Sequence, residues 1–166
     1  KDDEKRAIND CINKLQLKVT DNILDIGCGV GNMSIPMSFL VNSVTCIDGE
    51  NIVNIINNKK IKNINCIPGN FLDIELNSKF DKILIYSVLH CLKKEELYLF
   101  IDKCLNLLNP NGIILFGDIP NSDKKERFLK KYQTHEERVE WNKLMSTVKN
   151  KNENIWKSDI ELSEFN

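Results

Sequence analysis

The sequence has 166 residues, 42% of them apolar and 28% charged, with a net charge of −1. That length suits one domain with a full core, and the near-neutral balance argues against a surface built for bulk nucleic acid. No apolar run approaches the ~20 residues that span a bilayer and no signal peptide is visible, so neither nucleic acid nor a membrane is an expected partner. In chain order, residues 2–15 read as a helix with Ala7, Ile8, Cys11, Ile12 and Leu15 on one face. A strand follows through Ile23-Leu24-Asp25-Ile26 and runs into Gly27-Cys28-Gly29-Val30-Gly31, three glycines spaced two apart. Such glycines permit positive φ and let a ligand approach the main chain without meeting a Cβ. Residues 32–41 read as the next helix, with Pro36 near its first turn, where a missing N–H costs least.

Ser43 to Asp48 is a β-rich hexad ending in an acid, and residues 50–60 form the following helix, carrying Ile52, Val53, Ile55 and Ile56. Ile64 to Ile67 is a third strand leading into Pro68-Gly69-Asn70-Phe71, and Phe80 to Tyr86 begins a fourth that exits through Ser87-Val88-Leu89-His90. Leu97, Ile101, Cys104, Leu105 and Leu108 make a helical stripe, ended by the turn Asn109-Pro110-Asn111-Gly112 before a fifth strand, Ile113 to Phe116. The alternation predicts an α/β fold: a doubly wound, mostly parallel, Rossmann-like sheet with helices on both faces. One domain over 1–166 is expected, with an N-terminal helix over 1–20, a core over 21–120 and a helical segment over 121–166. After Pro120 the chain turns strongly charged, with 10 basic and 9 acidic side chains. Residues 123–131 and 135–149 look helical.

The six cysteines form no C-x-x-C pair and the two histidines stand apart, so the spacing supports neither a zinc site nor a disulfide framework. Scattered thiols suit a reducing cytoplasm, the expected location. The chain begins at Lys1 rather than Met, which reads as a trimmed form of something longer.

The glycine spacing separates two nucleotide-type readings. In the dinucleotide fingerprint G-x-G-x-x-G, a third glycine would stand at position 32, which is Asn32. The chain carries instead Asp25-x-Gly27-x-Gly29-x-Gly31, and this resembles motif I of the class I S-adenosylmethionine-dependent methyltransferases. Asp48, the Pro68–Phe71 loop, the fourth strand with its exit and the turn into the fifth strand follow in the family's order, with Asn111 where the family commonly has glycine. The resemblance covers about Asp21 to Asp118.

The resemblance implies S-adenosyl-L-methionine as cofactor, held by Asp25, Gly27, Cys28, Gly29, Gly31, Asp48, Gly49, Asn70, Phe71, Tyr86 and Ser87. Asp25 would fix the loop or reach the methionine ammonium, and the loop N–H groups would face the methionine moiety. Asp48 would bind the ribose hydroxyls, with Glu50 as the alternative acid. The Asn70 amide oxygen would take the adenine amino group and the Phe71 N–H a ring nitrogen, with Ile52 and Leu72 as walls; an Asx turn is the other reading of Asn70. Tyr86 and Ser87 would line the methionine end or simply pack the strand end. The family's fold closes with two further strands, the last antiparallel, and no convincing pair is found after Pro120: they are either absent or truncated.

Methyl transfer from a sulfonium needs chiefly an acceptor held in line, and a base only where the acceptor must lose a proton early. His90 and Asp118 are the candidates for that base, although His90 equally suits orienting its loop. His135 and Tyr132 could line an acceptor pocket or merely lie on a surface helix. Tyr86-Ser87-Val88-Leu89 stands where base amino-methylating enzymes carry an Asn/Asp-Pro-Pro-aromatic run, which disfavours that chemistry. The expected activity is methyl transfer to an oxygen or nitrogen of a small molecule or sugar. The alternatives are a cofactor-binding partner subunit without catalysis and, disfavoured by Asn32, a nicotinamide oxidoreductase. No metal site is expected.

Overall fold

The computed structural model describes residues 2–119 and, beyond them, Asn121, Thr134, Glu136 and Val139. The chain divides into two compact units, Lys1–Asp118 and Ile119–Asn166, and the first carries everything that follows. The helices expected over 123–131 and 135–149, with Tyr132 and His135, lie outside the described residues, although Glu136 and Val139 are helical.

The first unit is built from α1 (Asp2–Leu15), β1 (Asn22–Ile26), α2 (Ser34–Ser38), β2 (Ser43–Asp48), α3 (Glu50–Asn57), β3 (Ile64–Pro68), β4 (Phe80–Tyr86), a single 3₁₀ turn (Leu89–Cys91), α4 (Lys94–Leu107) and β5 (Leu108–Gly117). The five strands form one sheet in the order β3-β2-β1-β4-β5, and every neighbouring pair is parallel. The chain therefore winds outward from β1 through β2 to β3, then returns across β1 to lay down β4 and β5. The direction of winding reverses between β1 and β4, and an open α/β sheet leaves its ligand crevice beyond the carboxyl ends of the strands at that place.

The central strands are covered on both faces, so they read as continuous apolar runs rather than alternating ones. Ile23, Leu24, Val44, Cys46, Ile83, Leu84 and Ile85 have no exposed surface. From α1, Cys11 and Leu15 enter the same core, with Ile12 packed beside them. Two charges are buried at the opposite end of the sheet: Lys82 Nζ stands 3.9 Å from Asp21 Oδ2, and the same carboxylate accepts the Lys18 N–H at 2.8 Å.

Four local expectations are corrected. The helix after the glycine loop is Ser34–Ser38 rather than residues 32–41; Pro36 falls in its first turn, and Asn32 and Met33 remain in the loop. The helix after β2 ends at Asn57, before the expected 60, because Lys60 takes a positive φ of 53°. On α4 the buried stripe is Leu97, Phe100, Cys104 and Leu107, while Leu105 is 55% exposed. Spacings of three, four and three keep the first four on one side, whereas Leu105 follows Cys104 by about a 100° turn. The expected turn over Asn109 to Gly112 falls inside β5, where Asn111 has φ 64°, a region asparagine tolerates well.

Candidate functional site

The site begins with the turn that ends β1. Gly27, Gly29 and Gly31 all have positive φ, of 74°, 54° and 88°. Their surroundings differ, and the difference shows which way the loop faces. A Cβ on Gly27 would lie 2.3 Å from Val88 Cγ2, and one on Gly31 would lie 2.8 Å from Ile35 Cδ1. A Cβ on Gly29 would meet nothing within 4 Å. Gly27 and Gly31 are glycines because the protein presses against them, and Gly29 faces open space.

The loop is shaped from β2. Ile47 O accepts the N–H groups of Gly27 at 2.8 Å and Cys28 at 3.2 Å. Asp48 Oδ2 accepts from Gly29 N at 2.8 Å, and its Oδ1 accepts from Gly49 N at 2.7 Å. Gly31 N donates to Cys28 O at 3.1 Å. The N–H groups of Gly27, Cys28, Gly29 and Gly31 are thus satisfied within the protein. They do not face outward as the sequence suggested, since a carbonyl and a carboxylate from the neighbouring strand reach them first. Asp48 keeps acceptor capacity, because a carboxylate offers about four lone-pair sites and two are used here.

Asp25 is buried, 2% exposed, and accepts a hydrogen bond from Ser34 Oγ at the start of α2. It fixes the loop to the helix that follows. Burial pushes its carboxyl up to about 6, the Asp48 charge adds to that, and the Ser34 bond opposes it. Beneath the loop, Cys46 has its thiol pKa raised by a hydrogen bond with Cys28 and by burial. Raised thiol pKa values mark inert packing groups rather than nucleophiles.

A cavity of about 450 Å³ opens at the switch point. Cys28, Gly29, Val30, Asn32 and Met33 form one side of it, Tyr86 and Ser87 at the end of β4 the other, and Ala7 of α1 closes it. Ser87 has φ 60° and Asp118 φ 50°, so the chain bends in the same sense as it leaves two adjacent strands. Ser87 N donates to Gly117 O at 3.0 Å. A Cβ on Gly117 would lie 2.4 Å from Tyr86 Cδ2, so the Tyr86 ring occupies the space a side chain there would need. Burial, followed by the charge of Asp118, pushes the Tyr86 phenol up.

The remaining predicted residues, Asp118 among them, are not in the wall of this cavity. Asn70 makes an Asx turn, its Oδ1 accepting from Leu72 N at 3.2 Å and its Nδ2 donating to Asp73 Oδ2 at 3.1 Å. Phe71 is 4% exposed and meets Phe100 edge-on, ring centroids 5.0 Å apart. Ile52 and Leu72 are half-buried, and Glu50 is exposed in the first turn of α3, where an acid complements the helix dipole. His90 lies in the 3₁₀ turn, with Nδ1 buried and without a hydrogen-bond partner; it is not among the cavity's lining residues.

Six contributors went unread in the sequence. Ala7, Val30, Asn32 and Met33 line the cavity, although Ala7 carries only the signal of a core-facing helix position. Val88 presses on Gly27. Lys103 of α4 donates to Phe71 O at 2.7 Å, Leu72 O at 3.0 Å and Ile74 O at 2.5 Å, with its ammonium 4.9 Å from the Phe71 ring centroid. It holds the loop after β3 in place, and nothing in its own neighbourhood of the sequence signals that.

Comparison with known proteins agrees with this geometry. The family described as "Methyltransferase domain" matches residues 23–112. A protein of Staphylococcus carnosus named "Uncharacterized methyltransferase" is 28% identical over 130 residues, 78% of this chain and 62% of that protein. The chain spans about three-fifths of that relative's length. Among solved structures, N-methyltransferase NodS from Bradyrhizobium japonicum, in complex with S-adenosyl-L-homocysteine, superposes with a TM-score of 0.65 at 21% identity, over 75% of this chain and 65% of that one. A DhpI-SAM-HEP complex gives a TM-score of 0.65 at 15% identity, over 81% and 62%. These likenesses carry the fold. With five parallel strands, the loop Asp25-x-Gly27-x-Gly29-x-Gly31 at the switch point and a matching family profile over more than half its length, the chain belongs to the class I S-adenosylmethionine-dependent methyltransferase family.

Proposed function

We propose that this chain binds S-adenosyl-L-methionine at the carboxyl ends of β1, β2 and β4 and transfers its methyl group to an oxygen or nitrogen of a small molecule or sugar. The observation that carries the reading is the cavity of about 450 Å³ between the glycine loop and the end of β4. The residues fit the cofactor: Gly29 has no neighbour where a Cβ would stand, and Asp48 retains unused lone pairs. Asp48 with Gly49 would hold the ribose, Asn70 and Phe71 the adenine, and Cys28, Gly29, Tyr86 and Ser87 the methionine end. Asp25, Gly27 and Gly31 act one step back, since they shape the loop. When bound, the cofactor supplies a methyl group already activated on a sulfonium.

The chain's own contribution is then placement. Holding an acceptor in line removes most of the entropic barrier, and Ala7, Val30, Met33 and Tyr86 give the cavity a largely apolar wall to place it against. For a hydroxyl acceptor a proton must also leave. Asp118, beside the end of β4, and His90 are the two side chains proposed to receive it.

Calorimetric titration with S-adenosyl-L-methionine, S-adenosyl-L-homocysteine and the oxidised nicotinamide dinucleotide tests the reading. Binding of the first two alone is expected, and binding of the nicotinamide dinucleotide alone would refute it. Cofactor binding with no turnover on any acceptor would instead point to a partner subunit without catalysis.

A further inference from the structure

Asp118 is not in the cavity wall, but it stands one residue beyond the strand end that borders it. It follows Gly117, which pairs with Tyr86 across the β4–β5 ladder, and Gly117 O accepts the Ser87 N–H at 3.0 Å. Both Ser87 and Asp118 bend into positive φ, so the two strand ends turn together and set Asp118 beside the Ser87 wall of the cavity. Among the described residues no cation pairs with its exposed carboxylate. Asp10, whose charge also reaches Tyr86, is already paired with Lys14 at 2.6 Å. Among the described residues the cavity wall is uncharged: Ala7, Val30, Met33 and Tyr86 are apolar or aromatic, and Asn32 and Ser87 are neutral. Among the described residues this end therefore offers a largely apolar surface with the Asp118 carboxylate at its edge and no cation paired with it.

We propose that the methyl acceptor is a primary or secondary amine on a mainly apolar body, and that Asp118 selects it by pairing with its ammonium form. This deepens the function proposed above and rests on it. The paired ammonium gives up one proton to water before reaction. The nitrogen lone pair then forms the new N–C bond while the C–S bond breaks and sulfur keeps the electron pair, leaving S-adenosyl-L-homocysteine and a methylated ammonium. Asp118 is a specificity-determining residue in this scheme, because proton loss to water needs no base from the chain. An alcohol of the same shape would find no partner for its hydroxyl that rewards it over the amine.

The test uses the full chain saturated with S-adenosyl-L-homocysteine and matched probe pairs, phenethylamine against phenethyl alcohol and butylamine against butanol, titrated by calorimetry at pH 7.5. The amine of at least one pair should bind more tightly than its alcohol, and raising the salt from 0.05 to 0.5 M should reduce that preference, as expected for a screened charge. Asp118→Asn keeps the positive φ, which asparagine tolerates, and should reduce the preference by about fivefold, the scale of one exposed ion pair. In turnover assays with S-adenosyl-L-methionine, the same substitution should raise KM for the amine more than it lowers kcat. Equal binding within both pairs, or a preference undiminished in Asp118→Asn, overturns the proposal while cofactor binding stands. Failure of the unsubstituted chain to bind S-adenosyl-L-homocysteine overturns the function reading and this inference with it.

Discussion

The contrast between Gly27 and Gly29 gives the sharpest quantitative expectation. Both take positive φ, so alanine at either costs about 1–2 kcal/mol from the left-handed backbone alone. At Gly27 the new methyl would also stand 2.3 Å from Val88 Cγ2, and relief of such overpacking costs about 1–3 kcal/mol more. Gly27→Ala should therefore lose about 2–5 kcal/mol, and Gly29→Ala, with nothing within 4 Å, about 1–2 kcal/mol. At about 3 °C per kcal/mol for a chain of this size, the losses in Tm are about 6–15 °C and about 3–6 °C. Binding should rank the other way for the folded proteins: the Gly29 methyl enters the open side of the loop and should weaken S-adenosyl-L-homocysteine about tenfold or more, a cost of at least ~1.4 kcal/mol. Thermal unfolding and calorimetry on the two variants measure both quantities. Adding Val88→Ala to Gly27→Ala should recover about 1–2 kcal/mol beyond additivity, because the two side chains then no longer overlap. Equal losses of Tm at the two glycines, or purely additive behaviour with Val88→Ala, would refute the account of the loop.

Asp25 has a folded pKa raised to about 6 from 3.8, so between those values the native state holds more protons than the unfolded one and stability falls as pH rises. Asp25→Asn removes that slope and should gain stability on the parent from pH 4 to pH 7, by at most about 3 kcal/mol; urea midpoints at the two ends check it, and a constant difference contradicts the burial argument. Asp81 behaves oppositely: the Asn22 N–H, donating to its Oδ2 at 2.8 Å, and the Asn109 amide hold its carboxyl below the usual range. Its contribution is full above the ordinary carboxylate pKa and lost as pH falls through the folded value, so the penalty of Asp81→Asn should shrink on acidification below pH 4 in the same urea experiments. Lys103→Met removes three charge-assisted bonds to the loop after β3 and should cost about 2 kcal/mol, with faster hydrogen exchange at residues 71–74. Unchanged exchange there would mean that Lys103 does not hold the loop.

The sequence by itself determined what local physics determines. Apolar periodicity placed β2 at Ser43–Asp48 and α1 at Asp2–Leu15, and the spacing of Gly27, Gly29 and Gly31 marked the turn at the end of β1, because positive φ is a property of a residue and its immediate neighbours. The family followed from the same loop and the acid at Asp48. The tertiary structure decided what depends on residues far apart in the chain. The Gly29 N–H is consumed by Asp48, 19 positions on, and this closes a donor that the loop alone offers. Lys103 holds carbonyls 29 to 32 positions away, and Ala7 reaches the cavity only because α1 packs beside the switch point. On α4, the sheet chose Phe100 and Leu107 over Leu105. Sequence spacing fixes which side chains share a helix face, but which of two apolar faces is buried depends on the neighbour that covers it.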